Sequence, residues 1–330
     1  MFPGIPIALT LAGCCSNMVL MELLVSNDPG CGNLVTFTQF LFIACEGFVN
    51  TLKFGTVKNK IPLSVYIKMV TMFFMIQVVN NYAFSYDIPV TLHIIFRAGS
   101  LMASLTLGVI IAHKRYPISK YVSVLMITLG ICVCTYASAT GEHPTDRPFS
   151  IFNYTLGVSM MVFSLFMTAR MGLFQESVYS KHGKHPNESL FFNHALPLPG
   201  FLLVAPNIYS AAIGFNQSET WSVLGVMVPK MWIYLLGNNL SQYVCIRSVF
   251  VLTSECTALT VTLVVTLRKF LSLLISIWYF SNPFTLAHWA GTFLVFAGTL
   301  IFTETIQRVY QLGTKHMNSA VQNGASKKQQ

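Results

Sequence analysis

Charge is what this sequence has least of. Only 9% of its 330 residues are Asp, Glu, Lys or Arg, where a soluble domain carries about 25%. With 54% hydrophobic residues and a mean hydropathy of +0.61, that shortage excludes a soluble globular chain. Acids are scarcer than bases, 11 against 20. There are no paired carboxylates and no acid-rich loop, which argues against a membrane-embedded glycosyl- or acyltransferase, since such chemistry needs acids or a His base at the membrane edge. His143 and Asp146 share one loop and read as a solvated turn. No CxxC pair occurs among the eight cysteines, and Cys14-Cys15 and Cys132/Cys134 lie in apolar runs. They read as packing residues, so no metal and no cofactor is expected. Met1–Leu24 lacks a basic n-region and reads as a retained first span. The net charge of +9 is scattered among short loops, which excludes nucleic acid as the partner.

Long apolar runs are what is there. A membrane helix needs about 20 apolar residues. On that ruler the chain has spans near 5–24, 33–52, 64–84, 91–112, 118–138, 152–175, 189–209, 226–247, 256–280 and 285–305. Basic residues orient them. With the N-terminus in the cytosol, 14 of the 20 Lys and Arg fall in cytosolic loops, flanks or the tail, and only Arg147 and Lys230 fall opposite. Arg97, Arg170, Arg268 and Lys269 remain at membrane depth. Both termini are therefore expected in the cytosol.

The halves repeat. Ile118, Tyr121, Gly130 and Thr135 match Leu286, Trp289, Gly298 and Thr303 at a constant offset of 168. Five spans per half is odd, so the second copy enters the membrane from the other face, which places a site near the midplane between the halves. The expected fold is an all-α polytopic membrane protein of ten helices in two inverted five-helix repeats. Its expected parts are a first half (1–138), a lumenal connection (139–151), a second half (152–305) and a polar cytosolic tail (306–330).

Arg268 and Lys269 stand side by side in an otherwise uncharged run from Cys256 to Ser281. One cation at mid-bilayer costs roughly 2.5–3.5 kcal/mol on insertion scales. Two ask for something negative: a charged ligand or a buried acid. Neighbours on a helix point about 100° apart, so one is expected to face a cavity and the other to pair with Glu22, Glu46, Glu255 or Glu304. Glu255 also reads as an acid in a first turn capped by Ser254. Arg170 can snorkel and reads as structural, whereas Arg97 sits deeper. Gln77, Asn80, Asn81 and Tyr82 share one span, and Asn238, Asn239, Gln242 and Tyr243 another. Each carboxamide either reads a nucleobase edge or bridges helices, worth roughly 0.6 kcal/mol on average. Phe191-Phe192-Asn193-His194 precedes Pro197, Pro199 and Gly200, which should bend that helix beside a cavity.

At these residues the chain resembles the nucleotide-sugar transporters of solute carrier family 35, subfamily B. The likeness runs through Gly13–Asn17, Pro29–Ala44, Val78–Ala83, Ile94–Leu101, Phe191–Phe201 and Thr260–Phe270, and covers about residues 5–305. It implies the drug/metabolite transporter fold. It also implies antiport of UDP-xylose and/or UDP-N-acetylglucosamine into the Golgi or endoplasmic reticulum lumen against a nucleoside monophosphate such as UMP. Relatives use a Phe-Tyr-Asn-Asn segment, here Phe191 to His194, where the Tyr hydroxyl is lost and a His stands fourth, and a Gly-Ala-Leu-Asn-Lys motif, here Val265 to Lys269, whose lysine carries over. The expected substrate contacts are Lys269, Arg268, Arg97, Asn193, His194, Asn81 and Tyr82. Another phosphorylated anion, a nucleotide or sulfonucleotide, is the alternative cargo. Asn216-Gln-Ser is a glycosylation acceptor on the expected lumenal side. Lys327 and Lys328, third and fourth from the C-terminus, resemble a dilysine retrieval signal read by a vesicle coat, a partner besides the lipid bilayer. Oligomeric state is left open.

Overall fold

The computed structural model of the protein describes residues 4–303, except 87, 112, 114, 141–149, 184, 224, 256–257 and 283. The retrieval lysines Lys327 and Lys328, the tail 306–330, Glu304, the pair His143 and Asp146, and the side chain of Glu255 lie outside the described residues.

The chain is mostly helical: α1 (Gly4–Asn27), α2 (Gly32–Asn50), α3 (Leu63–Ala83), α4 (Val90–Ala98), α5 (Ser100–Ile110), α6 (Ile118–Thr140), α7 (Ile151–His182), α8 (Pro186–Ala195), α9 (Ala205–Asn216), α10 (Lys230–Glu255), α11 (Ala258–Phe280) and α12 (Leu286–Phe302). Among the described residues seven helical runs are long and apolar enough to cross a membrane: Gly4–Asn27, Pro29–Asn50, Leu63–Ala83, Val90–Ile110, Ile118–Thr140, Ile151–His182 and Asn187–Asn216. Leu286–Phe302 is a shorter apolar helix. With 26 and 23 residues, α10 and α11 have the length of a span and stand outside that count.

Two of the runs are broken. Gly99 separates α4 from α5; its N–H closes the last turn of α4 on Phe96 O at 2.8 Å. A Cβ there would run into Ile131 Cδ1 on α6, so the break also sets how closely the helices approach. Pro197, Pro199 and Gly200 end α8 and force a 3-10 stretch, Leu198–Val204, before α9, the bend their chemistry predicts. One element corrects the all-α expectation. Thr220–Val223 and Val226–Pro229 form a small antiparallel hairpin. Its β-branched residues favour strand, and Gly225, at φ +84°, supplies the left-handed turn. Lys230 Nζ donates to Glu219 Oε2 at 2.7 Å across its base, holding the Glu219 carboxyl below its ordinary range.

The helices pack in a defined set of pairs. α1 lies along α10 and α11; α2 along α8, α9 and α10; α3 along α7 and α8; α4 along α11; α5 along α7; α6 along α12. The α6–α12 contact is close because small residues line it. A Cβ on Gly130 would lie 2.5 Å from Gly291 O and 2.8 Å from Val295 Cγ2, and one on Gly298 2.9 Å from both Ser123 O and Ile127 Cγ1. Carboxamides tie α1, α2 and α10. Asn17 Nδ2 donates to Asn238 O at 3.0 Å, Asn238 Nδ2 to Asn17 O at 3.1 Å, and Gln39 Nε2 to Asn238 Oδ1 at 2.6 Å. Asn238 is fully buried, so losing its side chain would strand two neighbours at about 1–3 kcal/mol each.

Candidate functional site

Two cavity lobes that share part of their wall lie among the helices. One lobe, of about 480 Å³, is walled by α1, α2, α3, α4, α5, α7, α8 and α10. The other, of about 420 Å³, is walled by α1, α4, α10 and α11. Asn17, Met21, His93, Arg97, Gln242 and Ile246 border both. Helical period decides which residues line it. α11 contributes Val265, Arg268, Lys269 and Ser272, spaced three, one and three apart on one face. α3 contributes Phe73, Ile76, Gln77, Asn80 and Asn81, and α10 contributes Gln242, Cys245, Ile246 and Val249, with the same spacing.

The second lobe is cationic. Arg97 occupies the last turn of α4, where the carbonyls at a helix end lack intrahelical partners. One of them, Arg97 O, accepts from Lys269 Nζ at 3.4 Å. The broken helix thus supplies both a cation and the acceptor that holds a second one. Arg268 Nη1 points to Cys245 Sγ at 3.3 Å. The charges of the three residues act on one another. The expectation that one of the α11 cations pairs with an acid is not met among the described residues. Glu22 instead accepts from Ser276 Oγ at 2.8 Å and Asn282 Nδ2 at 2.7 Å. Glu46 accepts from Tyr243 Oη at 2.8 Å and faces Arg247 at 3.7 Å. Both α11 cations line the cavity because they straddle the centre of its face. Arg170 borders a separate groove of about 790 Å³ between α3 and α7, with Lys68 and Glu176.

The first lobe is neutral and polar, with an aromatic wall. Phe40 stacks on Phe73 at 5.4 Å, and the His194 ring meets Phe40 edge-on at 4.7 Å. His194 Nδ1 lies 2.7 Å from Leu190 O. A carbonyl only accepts, so Nδ1 carries the proton and Nε2 is left as an acceptor. Asn193 does not border the cavity, and its Oδ1 is buried without a partner among the described residues. Asn81 borders it, but its Nδ2 is committed to Asn33 Oδ1 at 3.2 Å and Thr36 Oγ1 at 2.7 Å. Tyr82 lies on an outer face of α3, 36% exposed and away from both lobes. Its neighbour Asn80 faces in; counting three and four along α3 from Phe73 and Ile76 selects Asn80 and not Tyr82. Asn17, Gln39 and His93 carried no sequence signal that set them apart.

Cys14 and Cys245 form a disulfide between α1 and α10 at the cavity wall, their Cα atoms 4.7 Å apart. They were expected only to pack. The partners are 231 residues apart, so spacing could not reveal the bond.

Comparison with known proteins places the chain. It is 54% identical over 311 residues to the zebrafish (Danio rerio) UDP-xylose and UDP-N-acetylglucosamine transporter, covering 92% of this chain and 94% of that one. It is 53% identical over 312 residues to the Homo sapiens nucleotide sugar transporter SLC35B4, with the same coverage. It is 52% identical over 312 residues to the endoplasmic reticulum GDP-fucose transporter of Drosophila melanogaster, covering 90% and 89%. The relatives are transporters, a non-enzyme class. The sequence profile of the UAA transporter family matches residues 3–306, and with a membrane-spanning helical body around a two-lobed cavity the chain belongs to that family.

Proposed function

We propose that this transporter exchanges a cytosolic nucleotide sugar, UDP-xylose and/or UDP-N-acetylglucosamine, for a lumenal nucleoside monophosphate such as UMP across the Golgi or endoplasmic reticulum membrane. The observation that carries this reading is the cluster Arg97, Arg268 and Lys269, lining a cavity without a carboxylate partner among the described residues. A nucleoside diphosphate sugar brings two negative charges at its bridging phosphates, and charge-assisted hydrogen bonds to them are strongest away from bulk water. An empty cavity leaves the cations uncompensated. The unloaded carrier then resists reorienting, and exchange is favoured over net flow. The printed names of the zebrafish and human relatives support a nucleotide sugar as cargo. The insect relative, a GDP-fucose transporter at similar identity, shows that overall likeness does not choose the base or the sugar. Lys269, Arg97 and Arg268 are assigned to the phosphates and His194 to the neutral end.

The reading takes ten spans in two inverted halves, with α4 and α5 forming the fourth and α8 and α9 the seventh. The packing pairs support it. Exchanging the halves turns α1·α10 into α3·α7, α1·α11 into α5·α7 and α2·α10 into α3·α8, and returns α2·α8, α4·α11 and α6·α12 to themselves; each of these pairs is in contact. The glycine contacts obey the same operation. An offset of 168 carries Gly130, Ser123 and Ile127 onto Gly298, Gly291 and Val295, so Gly130 on Gly291 and Val295 is the image of Gly298 on Ser123 and Ile127. With both termini cytosolic, Asn216 is lumenal. It is exposed at the end of α9, its Oδ1 accepting from Trp232 Nε1 at 2.8 Å.

The test is counterflow with purified protein in proteoliposomes preloaded with UMP. UDP-xylose and UDP-N-acetylglucosamine uptake is expected to rise with lumenal UMP and to exceed that of GDP- and CMP-sugars. Uptake indifferent to the trans nucleotide, or a sulfonucleotide outcompeting every sugar nucleotide, would replace this reading with the anion-carrier alternative.

A further inference from the structure

Six carboxamide side chains line the first lobe, and they divide into two sets. Asn17 and Gln39 are held by Asn238, and Asn81 by Asn33 and Thr36. Among the described residues, Gln77, Asn80 and Gln242 make no side-chain hydrogen bond. They are partly exposed, and that surface opens into the cavity. A polar group in the membrane that lacks a protein partner must find one in water or ligand. The bonded set builds the wall; the unbonded set is free to read what enters.

We infer that Gln77, Asn80 and Gln242 read the edge of the nucleobase and set the base preference of the carrier, an assignment that rests on the nucleotide exchange proposed above. Gln77 and Asn80 are three apart on α3 and so share one face. They stand in the lobe walled by Phe40, Phe73 and His194, whose rings give a base a flat surface to stack on. Gln242 reaches from α10 and borders both lobes, between that wall and the cations. A carboxamide offers one acceptor and two donors. Uracil presents an N3–H donor between two carbonyl acceptors, a pattern that carboxamides complement without any charge. Cytosine presents an amine where uracil has O4 and an acceptor where uracil has N3–H, so groups set for one leave unpaired polar atoms against the other.

The experiment compares UMP with CMP as competitors of UDP-sugar counterflow, with inorganic pyrophosphate as a probe of the cationic lobe alone. The wild type is expected to prefer UMP. Gln77→Met, Asn80→Leu and Gln242→Met are each expected to lower the UMP:CMP preference about fivefold, the loss of one neutral hydrogen bond, and Gln77→Met and Asn80→Leu, which border the first lobe alone, to leave pyrophosphate inhibition unchanged. Asn80→Asp, which replaces a donor by an acceptor, is expected to improve CMP relative to UMP, a gain that misfolding does not produce. A wild type that takes UMP and CMP alike, or a preference unmoved in all four variants, overturns the assignment and leaves nucleotide exchange standing. A wild type that exchanges no nucleotide overturns both.

Discussion

Lys269→Gln is expected to lower exchange about 100-fold while the protein still inserts and folds, because a charge-assisted bond to phosphate carries roughly 1.5–3 kcal/mol and the substitute is polar but neutral. Lys269 is the cation whose position is best determined. It sits at the centre of the α11 face, its Nζ is held by Arg97 O, and that carbonyl is presented by the end of a helix that Gly99 interrupts. Glutamine is one bond shorter and uncharged, so the 3.4 Å contact with Arg97 O is lost along with the charge, while a polar side chain remains at the cavity wall. Exchange kinetics in proteoliposomes, beside a monodisperse profile in detergent, check the result. Normal exchange by the folded variant would move the phosphate site elsewhere.

Gly130→Val is expected to prevent stable folding or to lower the unfolding temperature strongly. A Cβ at that position meets Gly291 O and Val295 N at 2.5 and 3.0 Å, backbone atoms that cannot rotate away. Overpacking typically costs about 1–3 kcal/mol, and backbone against backbone belongs at the upper end. Gly298→Val should behave alike, since its Cβ meets Ser123 O at 2.9 Å in the image of the same contact. Gly4→Val, with nothing within reach, serves as the control. Unfolding in detergent followed by intrinsic fluorescence checks it. A Gly130 variant as stable as the Gly4 variant would contradict the close α6–α12 contact.

The membrane class was legible because it depends on local composition, and so was the break at Pro197, Pro199 and Gly200, because proline and glycine act on their own backbone. Arg97 and Lys269 stood out by the cost of charge in an apolar run. The pairing of those two was not legible. It depends on where α4 ends, and a single glycine inside an apolar run does not announce a break. Of the four acids offered as partners, Glu22 and Glu46 are engaged by Ser276, Asn282 and Tyr243, contacts between segments far apart in the chain, and Glu304 and the Glu255 side chain lie outside the described residues. Among carboxamides, position along the helix mattered more than residue type. Asn80 and Asn81 are chemically identical, yet one opens to the cavity and the other is spent on Asn33 and Thr36. The hairpin after α9 was hidden within a stretch whose apolar content resembled the start of a span.

The central claim is that the Arg97–Arg268–Lys269 cluster binds the phosphates of a nucleotide. A ligand that binds only the folded state raises the unfolding temperature, so the direct measurement is thermal unfolding of the purified protein with UDP, UMP or uridine at equal concentration. The account predicts stabilisation by UDP and UMP, little by uridine, and loss of the UDP effect in Lys269→Gln. Stabilisation by uridine equal to that by UDP, or an undiminished UDP effect in the variant, would contradict it.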